Sequence, residues 1–419
     1  MKIIHKIKNS KQFQNFSIYG IGQLFNLLTP LLVAPYVIII CGEEGFGKAG
    51  IGLSFVFILT VLVDFASGIN GVKDVSVYRE ELKKVQKIAN TLFSIKLFAL
   101  LFILLLASGF IVFVPFLNQE KELYFLSLVF LVSQAFNPTW FLQGIEKFKI
   151  ISFVSSTGKR MYIVLVLLLV TKKEDYIFVN FYFGISALFV HLIGMGWLIR
   201  NKFLVLKKPA KADVLSIFSR DYKLTLSQLL LSLQQYSPIL IVGFFGNSSL
   251  AGQYKIIDQI IVIFKTYLLL FFNYVYPRIC YLLEKSKKEA LHFWKLYNGV
   301  NFIFITFSMI GIAFFSLKVV AYFNPQEVEV IADLLKIAVF IPILQAISIP
   351  LKQLVLGTNK QKVYVRTTMV ITSVSLVMIV LITPFYKVFG VLLALIITEI
   401  VTMLIYYATI KNNLFGRSH

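Results

Sequence analysis

The chain has 419 residues, 58% of them hydrophobic and 15% charged, with a net charge of +21 and a mean hydropathy of +0.81. A soluble domain carries an apolar share of roughly 45–50% including glycine, so a water-soluble globular class is excluded. The apolar runs do not alternate with polar residues over about 10 positions, which excludes a transmembrane barrel and leaves membrane-spanning helices.

In chain order, the opening MKIIHKIKNSKQFQNF is basic and leads into an apolar run ending at Ile40. That run is about twice as long as the apolar region of a signal peptide and is followed by no small-residue cleavage site, so a retained first span is expected. Apolar stretches long enough to cross a core of roughly 30 Å predict spans near 14–41, 49–72, 90–116, 122–143, 151–171, 176–199, 222–246, 252–280, 294–317, 331–356, 366–386 and 388–410. That makes about twelve helices.

The gaps after the second, sixth and eighth spans, KDVSVYREELKKVQK, KKPAKAD and EKSKKEALHFWK, are strongly basic. Those after the odd-numbered spans, such as EEGFGK, NQEKE, KKED, GNSSLAG and NPQEVEV, are short and neutral or acidic. About 31 of the 41 Lys and Arg residues fall in or beside the even-numbered gaps, including those after the fourth and tenth spans, and in the two termini, which puts both termini on the cytoplasmic side. The positive charge is thus an orientation signal with an attraction to anionic membrane lipids, and no nucleic-acid partner is implied. Cys41 and Cys280 fall on opposite faces in this topology, too far apart for a disulfide.

No gap exceeds about 25 residues, so there is no soluble domain to house an ordinary catalytic pocket. No metal-ligand cluster, phosphate-binding loop, dinucleotide turn or nucleophile elbow occurs either. A non-enzymatic function inside the membrane is expected, with no metal and no cofactor.

The longest hydrophilic gap, near 200–221, divides the chain into six-helix lobes at 1–205 and 206–419. Each opens alike: Tyr19, Gln23, Asn26 and Pro30 precede CGEEGFG, and Gln228, Ser232, Gln235 and Pro238 precede FGNSSLAGQY. The fourth span ends PTWFLQG and the tenth ends PLKQLVLG. Two lobes related by an axis along the membrane normal are one of the plans on which transporters are built. In NPTWFLQGIEKFK, Pro138 disturbs the helix, Trp140 is expected at headgroup level, and Gln143 and Gly144 end the helix before a basic turn. The stretch reads either as an anchored helix end or as a cytoplasmic entry rim.

A charge at the bilayer centre costs at least ~2.5–3.5 kcal/mol, so ionisable groups within spans need a partner or a wet cavity. Asp64, Lys96, Lys255, Asp258, Lys265 and Glu399 are such groups. On the eighth span Lys255, Asp258, Lys265, Asn273 and Tyr276 fall within an arc of about 80° at helical periodicity, a polar stripe expected to face a central cavity. Lys255 and Asp258, three residues apart, also suit local neutralisation, whereas Lys265 has no acid at i±3 or i±4. Lys96 is near enough to the inner end to snorkel. Lys159 and Arg160 flank Ser152, Ser155 and Ser156 on the fifth span, where they set orientation and offer charge to a phosphate. Asp64 and Glu399 have no sequence partner and suit either a coupling ion or a lysine from another helix. Gln23, Asn26, Gln228 and Gln235 suit either sugar hydroxyls or interhelical bonds. His191 reads as a satisfied core histidine.

Pro35 with CGEEGFG, GINGVKDVSVYR, NPTWFLQGIEKFK, KRMYIV at 159–164, GQYK and YPRI at 276–279 together resemble the O-antigen flippases. These form the polysaccharide-transporter branch of the multidrug/oligosaccharidyl-lipid/polysaccharide exporter superfamily. The resemblance spans essentially the whole chain and implies an all-α, two-lobed fold around a central cavity in the bacterial inner membrane. It implies a substrate too: an undecaprenyl-pyrophosphate-linked oligosaccharide moved to the periplasmic leaflet by alternating access, with ion coupling. Lys265, helped by Lys96 or Lys255, would attract the pyrophosphate, and other polysaccharide assembly proteins are candidate partners. The alternatives are a cation-coupled drug exporter of the same superfamily, expected to have a more acidic cavity, and an O-antigen polymerase or ligase, expected to need a larger periplasmic segment.

Overall fold

The computed structural model describes residues 11–205, 207–358 and 361–411, with side chains from residue 28 and, after the second gap, from residue 363. The described residues are helical almost throughout and contain no strand. In chain order the helices are α1 (Lys11–Asp64), α2 (Val72–Val77), α3 (Leu82–Phe113), α4 (Pro115–Asn118), α5 (Lys121–Ala135), α6 (Thr139–Gly144), α7 (Phe148–Leu169), α8 (Tyr176–Arg200), α9 (Lys211–Phe245), α10 (Ser248–Lys285), α11 (Lys287–Phe314), α12 (Ser316–Ala321), α13 (Val328–Ala338), α14 (Phe340–Gly357) and α15 (Gln361–Ile410). A π-helical turn, Ser67–Gly71, precedes α2, and a 3₁₀ turn, Lys173–Asp175, precedes α8.

Among the described residues, ten helical segments are long and apolar enough to cross a membrane. The longest two are interrupted: α1 breaks at Gly42 (φ 76°, ψ 169°) and α15 at Lys387 (φ 50°, ψ −130°). Gly42 has the positive φ that a residue without Cβ adopts at no steric cost. Its two arms converge on the 3₁₀ turn. Before the break, the Tyr36 hydroxyl donates to the carbonyls of Leu167 and Val170; after it, Ala49 accepts from Asn180 and Phe57 meets Phe183. The chain therefore changes direction at Gly42, where the sequence reading expects a turn between two spans.

The solvent of these helices is written on their faces. On α3, Phe98, Phe102 and Leu105 are exposed at 69%, 61% and 73%, while Leu92, Leu100, Ile103 and Ile111 on the opposite side are buried. Such a continuous apolar face is costly in water and suits acyl chains. The molecule is an all-α, multi-pass membrane protein.

Two compact units divide between Tyr236 and Ser237. In the first, Val75, Val85, Leu92, Phe93, Trp140, Phe141 and Leu198 form a buried cluster that joins α2, α3, α6 and α8. In the second, one cluster gathers Val275, Ile279, Leu351, Leu354 and Tyr406, and another Leu268, Ile305, Met309 and Val339. Within the second unit α10 starts on a cap that its sequence dictates: Asn247 in the GNSS turn accepts from the Leu250 amide at 2.8 Å.

Candidate functional site

The first unit holds a cavity of about 240 Å³ among α5, α6, α7 and α8. Its shape begins with the break between α5 and α6. Pro138 has no N–H to continue a helix, and Asn137 closes the turn by accepting from the Thr139 amide (3.0 Å) and donating to Gln134 Oε1 (3.0 Å). Gln134, Asn137 and Thr139 all line the cavity. On α7, Ser152, Ser155 and Lys159 recur at i, i+3 and i+7, which puts them within an arc of about 60° on one helix face, and all three line the cavity.

The opposite wall comes from α8 through Phe183 and His191. The Lys159 ammonium lies 4.3 Å from the centroid of the Phe183 ring, whose face attracts a cation. Phe183 is in turn stacked on Phe130 at 4.8 Å. His191 Nδ1 lies 2.8 Å from the Ser133 carbonyl oxygen. A carbonyl only accepts, so Nδ1 donates, which in a neutral ring leaves Nε2 as an acceptor. No carboxylate lines this cavity, and Lys159 has no ion-pair partner within 4 Å among the described residues. A cation, amides and hydroxyls in one recess suit an anionic or sugar-bearing ligand.

Deeper in the same unit, Lys96 is fully buried and donates to Asp64 Oδ1 at 2.9 Å. His191 lies within electrostatic reach of Lys96, Asp64 and Lys159. Directly after Asp64 the backbone turns left-handed at Phe65 (φ 45°) and Ala66 (φ 55°) before the π-helical turn. Non-glycine residues adopt that region at a cost of roughly 1–3 kcal/mol each.

In the second unit, Glu399 accepts from Gln345 Nε2 and Ser348 Oγ, both at 2.9 Å. Lys265 is half-buried, acts on Glu399 electrostatically and has no ion pair within 4 Å among the described residues. Lys255 and Asp258 pair with each other at 3.3 Å, the local neutralisation their spacing allows. Tyr276 stacks on Phe272 at 5.1 Å, and Asn273 is exposed.

The structure thus groups Lys159 with Ser152 and Ser155, Lys96 with Asp64, Lys255 with Asp258, and Lys265 with the surroundings of Glu399. Arg160, the neighbour of Lys159, is exposed; Gln228 is half-buried and Gln235 exposed. The side chains of Gln23 and Asn26 lie outside the described residues. Gln134, Asn137, His191, Gln345 and Ser348 escaped the sequence reading as site residues. For Asn137 the signal was present, since it begins the NPTW break; for the others nothing in the spacing marks a partner on another helix. Trp140, expected at headgroup level, has its indole enclosed by protein. It is only 4% exposed and packs on Phe93 at 5.4 Å, because the restart of the helix after Pro138 turns the indole into the core.

Residues 13–282 match the family described as "Polysaccharide biosynthesis protein". A protein of Escherichia coli (strain K12) described as "Putative O-antigen transporter" is 20% identical over 401 residues, covering 96% of this chain and 97% of that protein. One of the same description from Shigella dysenteriae is 21% identical over 404 residues, covering 94% and 98%. Among solved structures, the lipid II flippase MurJ in an inward closed conformation superposes with a TM-score of 0.73 at 14% identity, covering 94% of this chain and 87% of that one. An inward-facing MATE family multidrug resistance transporter of the MOP superfamily gives 0.72 at 14% identity, covering 98% and 100%. The fold is the one these transporters share.

Proposed function

Because this chain belongs to the polysaccharide biosynthesis protein family, we propose that it is a flippase for a lipid-linked oligosaccharide. The cargo in this reading is an O-antigen-type repeat unit on undecaprenyl pyrophosphate, carried from the cytoplasmic to the periplasmic leaflet of the bacterial inner membrane. Alternating access of six-helix lobes at 1–205 and 206–419 moves it, with both termini in the cytoplasm.

The observation that supports the reading best is the cavity of the first unit, where an ammonium, amides and hydroxyls meet with no carboxylate. Lys159 there, and Lys265 in the second unit, are the cations left for a pyrophosphate, since Lys96 and Lys255 each hold a carboxylate of their own. Gln23, Asn26, Gln228 and Gln235 are the amides assigned to sugars, Asn273 and Tyr276 are substrate contacts on the stripe of Lys265, and Arg160 adds its charge to that of Lys159 toward the pyrophosphate. Of the acids assigned to ion coupling, Asp64 and Asp258 are engaged by lysines. Glu399 is bonded by neutral donors alone, and is the carboxylate best placed to exchange an ion.

The test is complementation of a flippase-null strain by Lys159→Ala and Lys265→Ala. Each variant is expected to reach the membrane in normal amount, to lower surface polysaccharide, and to leave lipid-linked units on the inner side. Full complementation by both would overturn the assigned roles. Drug hypersensitivity of the deletion strain without loss of glycan would instead identify a drug exporter on the same fold.

A further inference from the structure

A second pocket in the first unit lies outside the site described above. It has a volume of about 310 Å³ and is lined by residues of the start of α3 between Lys83 and Thr91, by Val205, and by Lys207, Lys208, Pro209, Ala210 and Asp213 leading into α9. Four lysines face it, Lys83, Lys87, Lys207 and Lys208, against one carboxylate, Asp213, which Lys87 already holds at 2.8 Å. Lys83, Lys207 and Lys208 have no ion-pair partner within 4 Å among the described residues. The two walls are tied together, because Gln86 Nε2 donates to the Lys202 carbonyl oxygen at 2.6 Å.

A second observation concerns Asn90, which lines the same pocket: its Oδ1 is buried and accepts no hydrogen bond. An orphaned acceptor beside three unpaired ammonium groups asks for a ligand that carries both negative charge and a hydroxyl donor. The height of the pocket along α3 narrows the source. Lys83, Lys84 and Lys87 give way within one turn of Asn90 to LFSIKLFALLF, so the pocket lies where the helix passes from polar surroundings to the acyl layer. Basic pockets at that level bind anionic headgroups, and each lysine near the surface adds roughly 1 kcal/mol of attraction, about fivefold in affinity.

We infer that this pocket is a specific binding site for an anionic phospholipid whose phosphodiester bears a hydroxylated headgroup, of which phosphatidylglycerol is the simplest. The three unpaired lysines hold the phosphate, Asn90 accepts from the headgroup hydroxyl, and the acyl chains run along the exposed apolar face of α3.

The experiment uses the full-length protein in detergent, titrated with phosphatidylglycerol, phosphatidic acid or phosphatidylcholine and read by native mass spectrometry. Phosphatidylglycerol is expected to be retained most strongly. Lys83→Gln with Lys207→Gln and Lys208→Gln is expected to weaken it roughly a hundredfold. The control, Lys285→Gln with Lys287→Gln and Lys288→Gln in another basic turn, is expected to leave it within about twofold. Asn90→Leu is expected to cut the preference for phosphatidylglycerol over phosphatidic acid by about fivefold, the worth of one neutral hydrogen bond. Should the triple variant not fold, Lys208→Gln and Asn90→Leu singly answer the same question. Equal loss in the control would reduce the effect to general attraction and overturn the site. Retention of free glycerol 3-phosphate as firmly as the lipid, or displacement of the lipid by stoichiometric undecaprenyl diphosphate, would overturn the assignment to a structural lipid. None of these readings depends on glycan transport, so the proposal stands or falls apart from the proposed function.

Discussion

At the scale of single residues, the pair of Lys96 and Asp64 is the feature of the first unit with most at stake. Lys96 is wholly buried, whereas Asp64 is 39% exposed on its side chain, so the burden of desolvation falls on the ammonium. Removing the carboxylate strands that charge. Asp64→Ala is expected to destabilise the protein by about 3 kcal/mol, the low end of the cost of breaking a buried pair, and to lower the unfolding temperature in detergent. Lys96→Met with Asp64→Ala is expected to recover most of that loss, since a flexible apolar side chain of similar length then fills the site. A double variant no more stable than Asp64→Ala would show that the ammonium is not the penalised group. That both residues need a partner or a wet cavity was legible in the sequence, because charges inside spans are costly; that they partner each other was not. Asp64 and Lys96 are 32 positions apart, and only the packing of α1 against α3 brings them to 2.9 Å. His191 shows the same limit: its bond to the Ser133 carbonyl fits the satisfied histidine expected, but its place on the cavity wall depends on α5 and α7 together.

At the scale of elements, the walls of the cavity are set by how closely helices approach. A Cβ built on Gly184 of α8 would lie 2.6 Å from the Phe130 backbone nitrogen on α5, so the crossing admits no side chain there. Gly196, on the same helix, has nothing within 4 Å of such a Cβ. Gly184→Ala is therefore expected to cost about 1–3 kcal/mol through forced separation of α5 and α8. Gly196→Ala is expected to be neutral or mildly stabilising, by up to ~1 kcal/mol from helix propensity. Thermal unfolding of the two variants in one detergent checks both, and equal shifts would refute the close-packing argument. The breaks in helices were partly legible: the glycines of CGEEGFG foretell the change of direction at Gly42, and NPTW foretells the end of α5 at Ala135. The break at Lys387 was legible only as a boundary between apolar runs, since lysine has no preference for φ of 50° and its neighbours must impose it.

At the scale of the whole molecule, the arrangement of charge along the chain leads to a topology that labelling can test. A cysteine-free protein carrying Lys287→Cys is expected to resist a membrane-impermeant maleimide in intact cells and to react after permeabilisation. One carrying Gln326→Cys, an exposed position in the turn before α13, is expected to react in both. The opposite pattern would invert the assigned orientation. By itself the sequence determined the solvent, the helical class, the rough limits of most apolar segments, and which positions carry charge into them. Each of these is a local property: hydropathy over about 20 residues, proline and glycine punctuation, and the cost of a charge in lipid act along a single helix. Only the tertiary structure decided which lysines are spent on carboxylates and which stay free, that Trp140 faces inward, and that α5, α6, α7 and α8 enclose a recess around Lys159. Those facts depend on side chains tens of residues apart meeting at helix crossings a few ångströms wide, and periodicity on one helix carries no record of its neighbour.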